Sequence, residues 1–111
     1  MYWRLVKVCL LSASVAMSAF IKHTPKVSAE VLQKFKVDQW SKWGCAVSSF
    51  PWTYQDAETC FIIKGRVAVT PKNAAKYGPP VVLEAGDMAT FAVGMECTWQ
   101  VTEPLEKYYT F

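Results

Sequence analysis

Six residues in two segments of the chain have side chains that could surround and hold a small molecule. Together they supply large rings, two thiols and one carboxyl group. They are Trp52, Tyr54, Glu58, Cys60, Cys97 and Trp99. Because side chains on a strand alternate between its two faces, residues two positions apart share a face. The spacing therefore predicts a mainly apolar pocket with a few polar groups, the usual form of a small-molecule site.

Glu58 is the member of this set that could do acid–base chemistry, and we take it as the candidate catalytic residue. Burial of a carboxyl group among rings favours its protonated form, which a general acid needs. A structural bridge from Glu58 to Tyr54 or to a lysine is an open alternative, since a buried carboxylate needs a partner. The rings could equally fill a core, and Cys60 and Cys97 could pack as small hydrophobic residues.

These residues are a poor set of ligands for a metal ion. Glu58 offers a hard carboxylate and Cys97 a soft thiolate, whereas Tyr54 offers only a phenol and Trp52 no ligand atom. The sequence has no Cys-x-x-Cys pair, and its single histidine, His23, lies near the N-terminus. We therefore expect no tightly bound divalent metal, and the cofactor is unknown.

Short strands separated by turns must position these residues. A short helix over residues 29–35, capped by Ser28, comes first. Gly65 predicts the turn of a hairpin, and Pro104 predicts a break between the last two strands. Many short strands with frequent turns favour a single all-β domain, a sandwich or a barrel. The expected strands are residues 45–50, 59–64, 66–70, 81–83, 88–91, 96–101 and 105–111.

The segment from Trp52 to Gly65 resembles the first motif of the cupin family. That motif reads His-x-His, three or four residues, Glu, six residues and Gly. Here Trp52 and Tyr54 stand in the two histidine places, and Glu58 and Gly65 follow at the motif spacing. The resemblance implies that the carboxylate of the usual metal site is kept, while two of its imidazole ligands are lost.

The segment from Glu84 to Trp99 resembles the second cupin motif, which reads Gly, five residues, Pro-x-Gly, two residues and His. Gly86 and Gly94 are present, but Ala92 replaces the proline and Cys97 replaces the histidine. Glu58 and Cys97 therefore stand at metal-ligand positions of a motif whose three histidine places are all altered.

Further short matches narrow the resemblance to small single-domain cupins of the ureidoglycine aminohydrolase type. They are Phe-Pro-Trp-Thr-Tyr at residues 50–54, Glu-Thr-Cys at 58–60 and Lys-Tyr-Tyr-Thr-Phe at 107–111. The resemblance covers residues 37–111 and implies a cupin β-barrel or jelly roll that forms a homodimer. It leaves two functions open besides a structural role. One is binding of a small organic ligand in the lumen, and the other is a ureidoglycine aminohydrolase-like or other small-molecule enzyme that uses Glu58, with or without a weakly bound metal.

Residues 1–29 contain no acidic residue and differ in composition from the rest of the 111-residue chain. Arg4 and Lys7 precede an uncharged stretch over residues 8–21, which is too short to span a bilayer. This pattern predicts a cleavable targeting segment, of secretory or bipartite plastid type with a cut before Phe20, ahead of a cupin domain at 30–111. An N-terminal strand or helix packed on the barrel is the alternative.

The overall charge and the cysteine pattern argue against two other classes of protein. The formal net charge is only +3 and no basic block is present, so we expect no nucleic-acid partner. Removal of the N-terminal segment would leave three of the four cysteines, and an odd number without tight spacing does not favour a disulfide scaffold.

Overall fold

The computed structural model describes residues 19–111, which form an all-β domain with a short N-terminal helix, as the sequence predicts. The strands are β1 (Lys22–Thr24), β2 (Ser41–Cys45), β3 (Ser48–Thr53), β4 (Glu58–Pro71), β5 (Val81–Glu84), β6 (Met88–Phe91) and β7 (Glu96–Thr110). The helices are α1 (Ala29–Lys34), α2 (Ala74–Tyr77) and a 3₁₀ turn at Val37–Gln39. Ser28 caps α1 as predicted, because its side chain accepts a hydrogen bond from the Val31 N–H.

The two long strands β4 and β7 organise the fold, because each belongs to both halves of it. The first part of β4 pairs with β6 and with the last part of β7, while β1 and β2 extend this half at its edges. The second part of β4 pairs with β5 and with the first part of β7, which also pairs with β3. The hydrogen-bonded ladder does not close on itself within residues 19–111, so the architecture is an open jelly-roll sandwich.

β4 and β7 are both irregular where Gly65 approaches Pro104. The pairing register shifts between Ile62 and Val67, which marks β-bulges. Gly65 has a φ of 96°, and a Cβ at this position would lie 2.2 Å from the Pro104 carbonyl oxygen. The predicted hairpin at Gly65 is wrong, because the chain continues through it as one strand. The predicted break at Pro104 is also wrong, since the bulge accommodates a residue without an N–H inside β7.

The expected strand at residues 45–50 is replaced by two strands that run in succession along β7. β2 ends at Cys45, opposite Leu105, and β3 begins at Ser48, opposite Val101. The sequence pattern predicted one continuous strand, whereas residues 46 and 47 separate β2 from β3. The two strands carry Trp43 and Phe50 to the same side of the sandwich.

The core lies between the two halves and is filled by alternate residues of the long strands, as the period of two predicts. Fully buried contributors are Cys60, Ile62, Val67 and Val69 from β4 and Trp99, Val101 and Leu105 from β7. Phe91 of β6 contacts Trp99 of β7 with ring centroids 5.9 Å apart, which joins one half to the other. No helix among residues 19–111 combines the length and apolar character needed to cross a bilayer.

Asp87, in the turn between β5 and β6, holds the N-terminal part of the described chain against the sandwich. Its carboxylate accepts hydrogen bonds from the backbone N–H groups of Glu84 and Lys26, each at 3.1 Å, and lies 3.0 Å from His23 Nε2. Burial acts to raise the pKa of Asp87, but the hydrogen bonds from Glu84, His23 and Lys26 outweigh it and hold that pKa below its usual value.

The strand β1 lies within the segment 1–29 for which the sequence favours targeting. For residues 22–24 the structure has the alternative, an N-terminal strand paired with β6. Residues 1–18, which include Cys9 and most of the uncharged stretch, lie outside the described part of the chain. Targeting and the boundary at residue 30 therefore stay predictions.

Candidate functional site

A pocket of about 200 Å³ opens into the sandwich and is lined mainly by aromatic rings. Seven of its nine lining residues are aromatic, and the other two are one acid and one lysine. The lining residues are Trp43, Phe50, Trp52, Tyr54, Glu58, Trp99, Lys107, Tyr109 and Phe111. The strands β2, β3, β4 and β7 supply most of them, so the pocket draws on both halves of the fold.

An ion pair between Lys107 and Glu58 forms the polar part of the pocket. Lys107 Nζ donates a hydrogen bond to Glu58 Oε2 at 2.8 Å, and the two side chains are only 9% and 5% exposed. Glu58 begins β4, and Lys107 lies on the inward face of β7 between Leu105 and Tyr109. A charge is stable at such depth only with a close partner of opposite sign.

Three aromatic rings surround the Lys107 ammonium group. Its Nζ lies 4.5 Å from the ring centroid of Trp99, 5.3 Å from that of Trp43 and 5.5 Å from that of Tyr109. At these distances the negative ring faces attract a cation, and the effect grows when water is excluded. The rings therefore stabilise the charged lysine on the sides that Glu58 does not reach.

Tyr54 and Trp99 are held together at the inner wall of the pocket. Trp99 Nε1 donates to Tyr54 Oη at 3.2 Å, and the Tyr54 ring stacks on Phe91 with centroids 4.8 Å apart. Burial, helped by the negative charge of Glu58, raises the pKa of Tyr54 far above its usual value. Tyr54 is therefore a neutral phenol throughout the physiological range.

Four of the six residues expected to form a pocket lie around this one. Tyr54, Glu58 and Trp99 form its buried wall, and Trp52 forms part of the rim with half of its surface exposed. Cys60 and Cys97 are buried but do not line it. Burial raises the pKa of Cys60 to about 12 and that of Cys97 to about 11, so both stay protonated thiols at neutral pH.

Sequence reasoning missed Lys107 and four of the rings. The sequence offered a lysine as one possible partner of Glu58 without identifying which, and the structure shows Lys107 buried at 8% exposure. The alternation of Leu105, Lys107 and Tyr109 is the signal that places this lysine on an inward face. The other missed lining residues are Trp43, Phe50, Tyr109 and Phe111.

The residues at the cupin metal positions do not fit a divalent cation. The ammonium group of Lys107 already occupies the partner position of the Glu58 carboxylate. Tyr54 and Cys97 are held protonated, whereas metal ligands must be deprotonated. Within residues 19–111 no cluster of three or more His, Cys, Asp or Glu side chains could hold a metal.

Solved structures with the same fold come from several bacteria. A DUF861 family protein from Thermotoga maritima is 38% identical, with a TM-score of 0.75, over 82% of this chain and 98% of that one. The EutQ protein of Clostridium difficile is 14% identical, with a TM-score of 0.54, over 80% of this chain and 64% of that one. An oxalate decarboxylase from Lactobacillus farciminis is 16% identical, with a TM-score of 0.51, over 80% and 27%. The last two likenesses show the fold alone.

The sequence itself matches a family description over most of the described domain. The match is to the EutQ-like cupin domain and runs from residue 32 to residue 109. No curated protein matches the chain significantly. The matched range contains β2 to β7 almost entirely, together with the ion pair and most of the aromatic wall. This protein therefore belongs to the EutQ-like cupin domain family.

Proposed function

We propose that the domain binds a small, largely apolar organic molecule in its aromatic pocket. The observation that carries the proposal is a concave space of about 200 Å³ with seven rings around one buried ion pair. Pockets of this character, with few polar groups in an apolar lining, are the usual form of small-molecule sites. The volume equals roughly seven molecules of liquid water, which suits a single ring with a short substituent.

The placement of the polar groups supports binding over simple core filling. A core filled only for stability favours apolar side chains, because replacing a buried ion pair with apolar residues is often neutral or stabilising. Here Glu58 and Lys107 are buried beside an opening and remain part of its wall. They are placed to orient a bound molecule while the rings supply contact area.

Binding can be tested with single-ring aromatic compounds titrated into the ¹⁵N-labelled full-length chain. We expect saturable shifts at pocket residues, including the side-chain N–H of Trp99. The rim variant Trp52→Ala should weaken binding several-fold. Phe35→Ala is the matched control, because Phe35 is similarly exposed, at 52% against 50%, but does not line the pocket. Shifts that do not saturate, or equal effects of the two variants, would refute the proposal.

A second candidate function is a ureidoglycine aminohydrolase-like or other small-molecule enzyme that uses Glu58. The observation that favours it is the 2.8 Å contact with Lys107, across which a proton could be exchanged during acid–base catalysis. Fold likeness alone is a weak argument for an activity. Turnover of a ureido compound that Glu58→Gln abolishes would support the enzyme, and binding without turnover would leave the first proposal.

We also propose a homodimer, following the implication of the family resemblance. The edge strand β3 pairs with β7 on one side, and most of its residues are exposed. Edge strands are common routes to association between copies of a chain. Sedimentation equilibrium should give twice the chain mass, and a monomer at high concentration would exclude the dimer.

Targeting to a plastid or to the secretory pathway remains our proposal for the N-terminal segment. A cut before Phe20 would keep β1 and its contacts with Asp87 in the mature protein. It would also keep the Phe20 ring, which lies against Gly78. Sequencing the N-terminus of protein isolated from cells tests the proposal, and an intact Met1 would refute it.

A further inference from the structure

The ion pair in the pocket points to a particular class of ligand. We propose that the pocket selects an uncharged molecule carrying a hydrogen-bond acceptor and a hydrogen-bond donor side by side, as an aromatic carboxamide does. The ligand's acceptor would accept a hydrogen bond from Lys107 Nζ, and its donor would donate one to Glu58. This inference rests on the proposed function, because it names the ligand class of the same pocket.

The first argument is the unused hydrogen-bonding capacity of the pair. The lysine ammonium has three N–H groups and the carboxylate has two oxygens. Within residues 19–111 the pair makes one side-chain hydrogen bond, from Lys107 Nζ to Glu58 Oε2. Both residues line the pocket, and no fully buried side-chain N or O in the described chain lacks a partner. The N–H groups of Lys107 and the Glu58 oxygen that this one bond leaves over are therefore the polar groups that the pair can offer to a molecule in the pocket.

The second argument is charge. The pair is neutral as a unit, and its two charged atoms are 2.8 Å apart. A bound anion would be attracted by Lys107 but repelled by Glu58 at almost the same distance. A bound cation would be attracted by Glu58 and repelled by Lys107. A charged group lying against the aromatic wall would also lose part of its hydration without compensation. A neutral ligand that matches both members of the pair avoids these costs.

The third argument is the shape and chemistry of the remaining wall. Apart from Glu58 and Lys107, every lining residue presents a ring. The phenol oxygen of Tyr54 accepts a hydrogen bond from Trp99 Nε1, and the Tyr54 side chain is deeply buried. The rest of the ligand therefore meets ring faces and edges, which favours a flat, unsaturated scaffold. A six-membered ring with one amide group satisfies the volume, the wall and the ion pair together.

The experiment compares four probes of similar shape and different polar groups: benzamide, benzoate, benzylamine and toluene. Each is titrated into the ¹⁵N-labelled full-length chain at neutral pH. We expect benzamide to bind at least about tenfold more tightly than the other three, since hydrogen bonds to charged groups are worth that much. N,N-dimethylbenzamide keeps the acceptor and lacks the donor, so its affinity should also fall about tenfold.

Variants test the same idea from the protein side. In the double variant Glu58→Leu, Lys107→Met, which removes every polar atom of the pair, the preference of benzamide over toluene should largely disappear. Because these changes could impair folding, the dimethylated probe tests the inference on the unaltered chain. Tighter binding of benzoate or benzylamine overturns the choice of a neutral ligand. Equal binding of benzamide and toluene overturns the donor–acceptor match but leaves the proposed function standing. Failure of every probe to bind overturns both.

Discussion

Lys107 Nζ and Glu58 Oε2 lie 2.8 Å apart across the neighbouring strands β4 and β7, where both side chains are almost wholly buried. Three ring faces complete the surroundings of the ammonium group. Each charge is therefore compensated only while the other is present. The pair links Glu58 of the first cupin motif to Lys107, a residue of β7 that lies outside both motifs.

Removing one member of this pair should destabilise the domain strongly. Glu58→Gln leaves the ammonium group buried without its counter-charge, and Lys107→Met leaves the carboxylate. We expect each to lower the free energy of unfolding by about 3 kcal/mol. The double variant should lose much less than the sum, because no unpaired charge remains. Urea denaturation of the four proteins measures the coupling.

A second ion pair between the same two strands provides the control. Lys64 Nζ and Glu106 Oε2 are 3.1 Å apart, but the lysine side chain is 63% exposed. Exposed pairs are screened by water and salt, so Lys64→Met should leave stability nearly unchanged. If Lys107→Met behaved like Lys64→Met, or if the Glu58 and Lys107 effects were additive, the buried pair would not be coupled as its geometry implies.

Asp87 should make the stability of the domain dependent on pH in the acidic range. Its hydrogen bonds hold its pKa below the value of about 3.9 expected in the unfolded chain. A carboxyl group with a lowered folded-state pKa stabilises the fold above its unfolded pKa, and this contribution is lost as the pH falls further. Asp87→Asn should cost about 2 kcal/mol at pH 7, because two backbone N–H groups and His23 lose a charged partner.

The difference between wild type and Asp87→Asn should therefore shrink as the pH is lowered below about 4. Urea midpoints measured at pH 7, 5 and 3 on both proteins would show this convergence. A difference that stayed constant over the whole range would mean that the charge of Asp87 contributes little. The exposed residue Asp56 is the control, since Asp56→Asn should leave the midpoint nearly unchanged at each pH.

Much of the fold follows from the alternation of apolar residues along the chain. The inward faces of β4 and β7 are correctly predicted by Glu58, Cys60, Cys97 and Trp99, which are all buried. The sequence does not predict that these strands are continuous, because Gly65 and Pro104 are locally typical of turns. Only their mutual approach, in which one backbone fits against the other without a Cβ between them, explains why both lie inside strands.

The candidate site is predictable to a smaller extent. Glu58 stands out because a carboxylate at a motif position needs a partner, and a lysine was one of two partners left open. Identifying Lys107 requires knowing that β7 lies beside β4, which is a long-range pairing. Trp43 enters the pocket because β2 runs along the same part of β7. Neither relationship is contained in local sequence pattern.

The three cysteines among residues 19–111 should differ sharply in reactivity. Burial raises the pKa of Cys60 to about 12 and that of Cys97 to about 11, whereas Cys45 is partly exposed. Because the thiolate is the reactive form, iodoacetamide at pH 7.5 should modify Cys45 well before the other two. Peptide mapping by mass spectrometry over time gives the three rates. Denaturant should make them similar, and rapid modification of Cys60 in the native protein would contradict its burial.

The approach of Gly65 to Pro104 gives a prediction about the bend shared by the two long strands. Gly65 and Gly86 have similar φ values, 96° and 94°, so alanine at either site carries the strain of a positive φ, about 1–2 kcal/mol. Their surroundings differ. A Cβ on Gly65 would meet the Pro104 carbonyl oxygen at 2.2 Å, whereas one on Gly86 would meet the flexible Lys26 side chain at 3.2 Å.

A side chain can move aside at little cost, but a paired backbone cannot, so Gly65→Ala should be the more damaging change. We expect Gly86→Ala to lose only the strain, and Gly65→Ala to lose clearly more because β4 and β7 must separate at the bulge. Urea denaturation of both variants measures the difference. Since the bend sets how the ends of β4 and β7 meet, Gly65→Ala should also weaken ligand binding in the pocket. Equal losses at the two glycines would show that the strands can part at this point without cost.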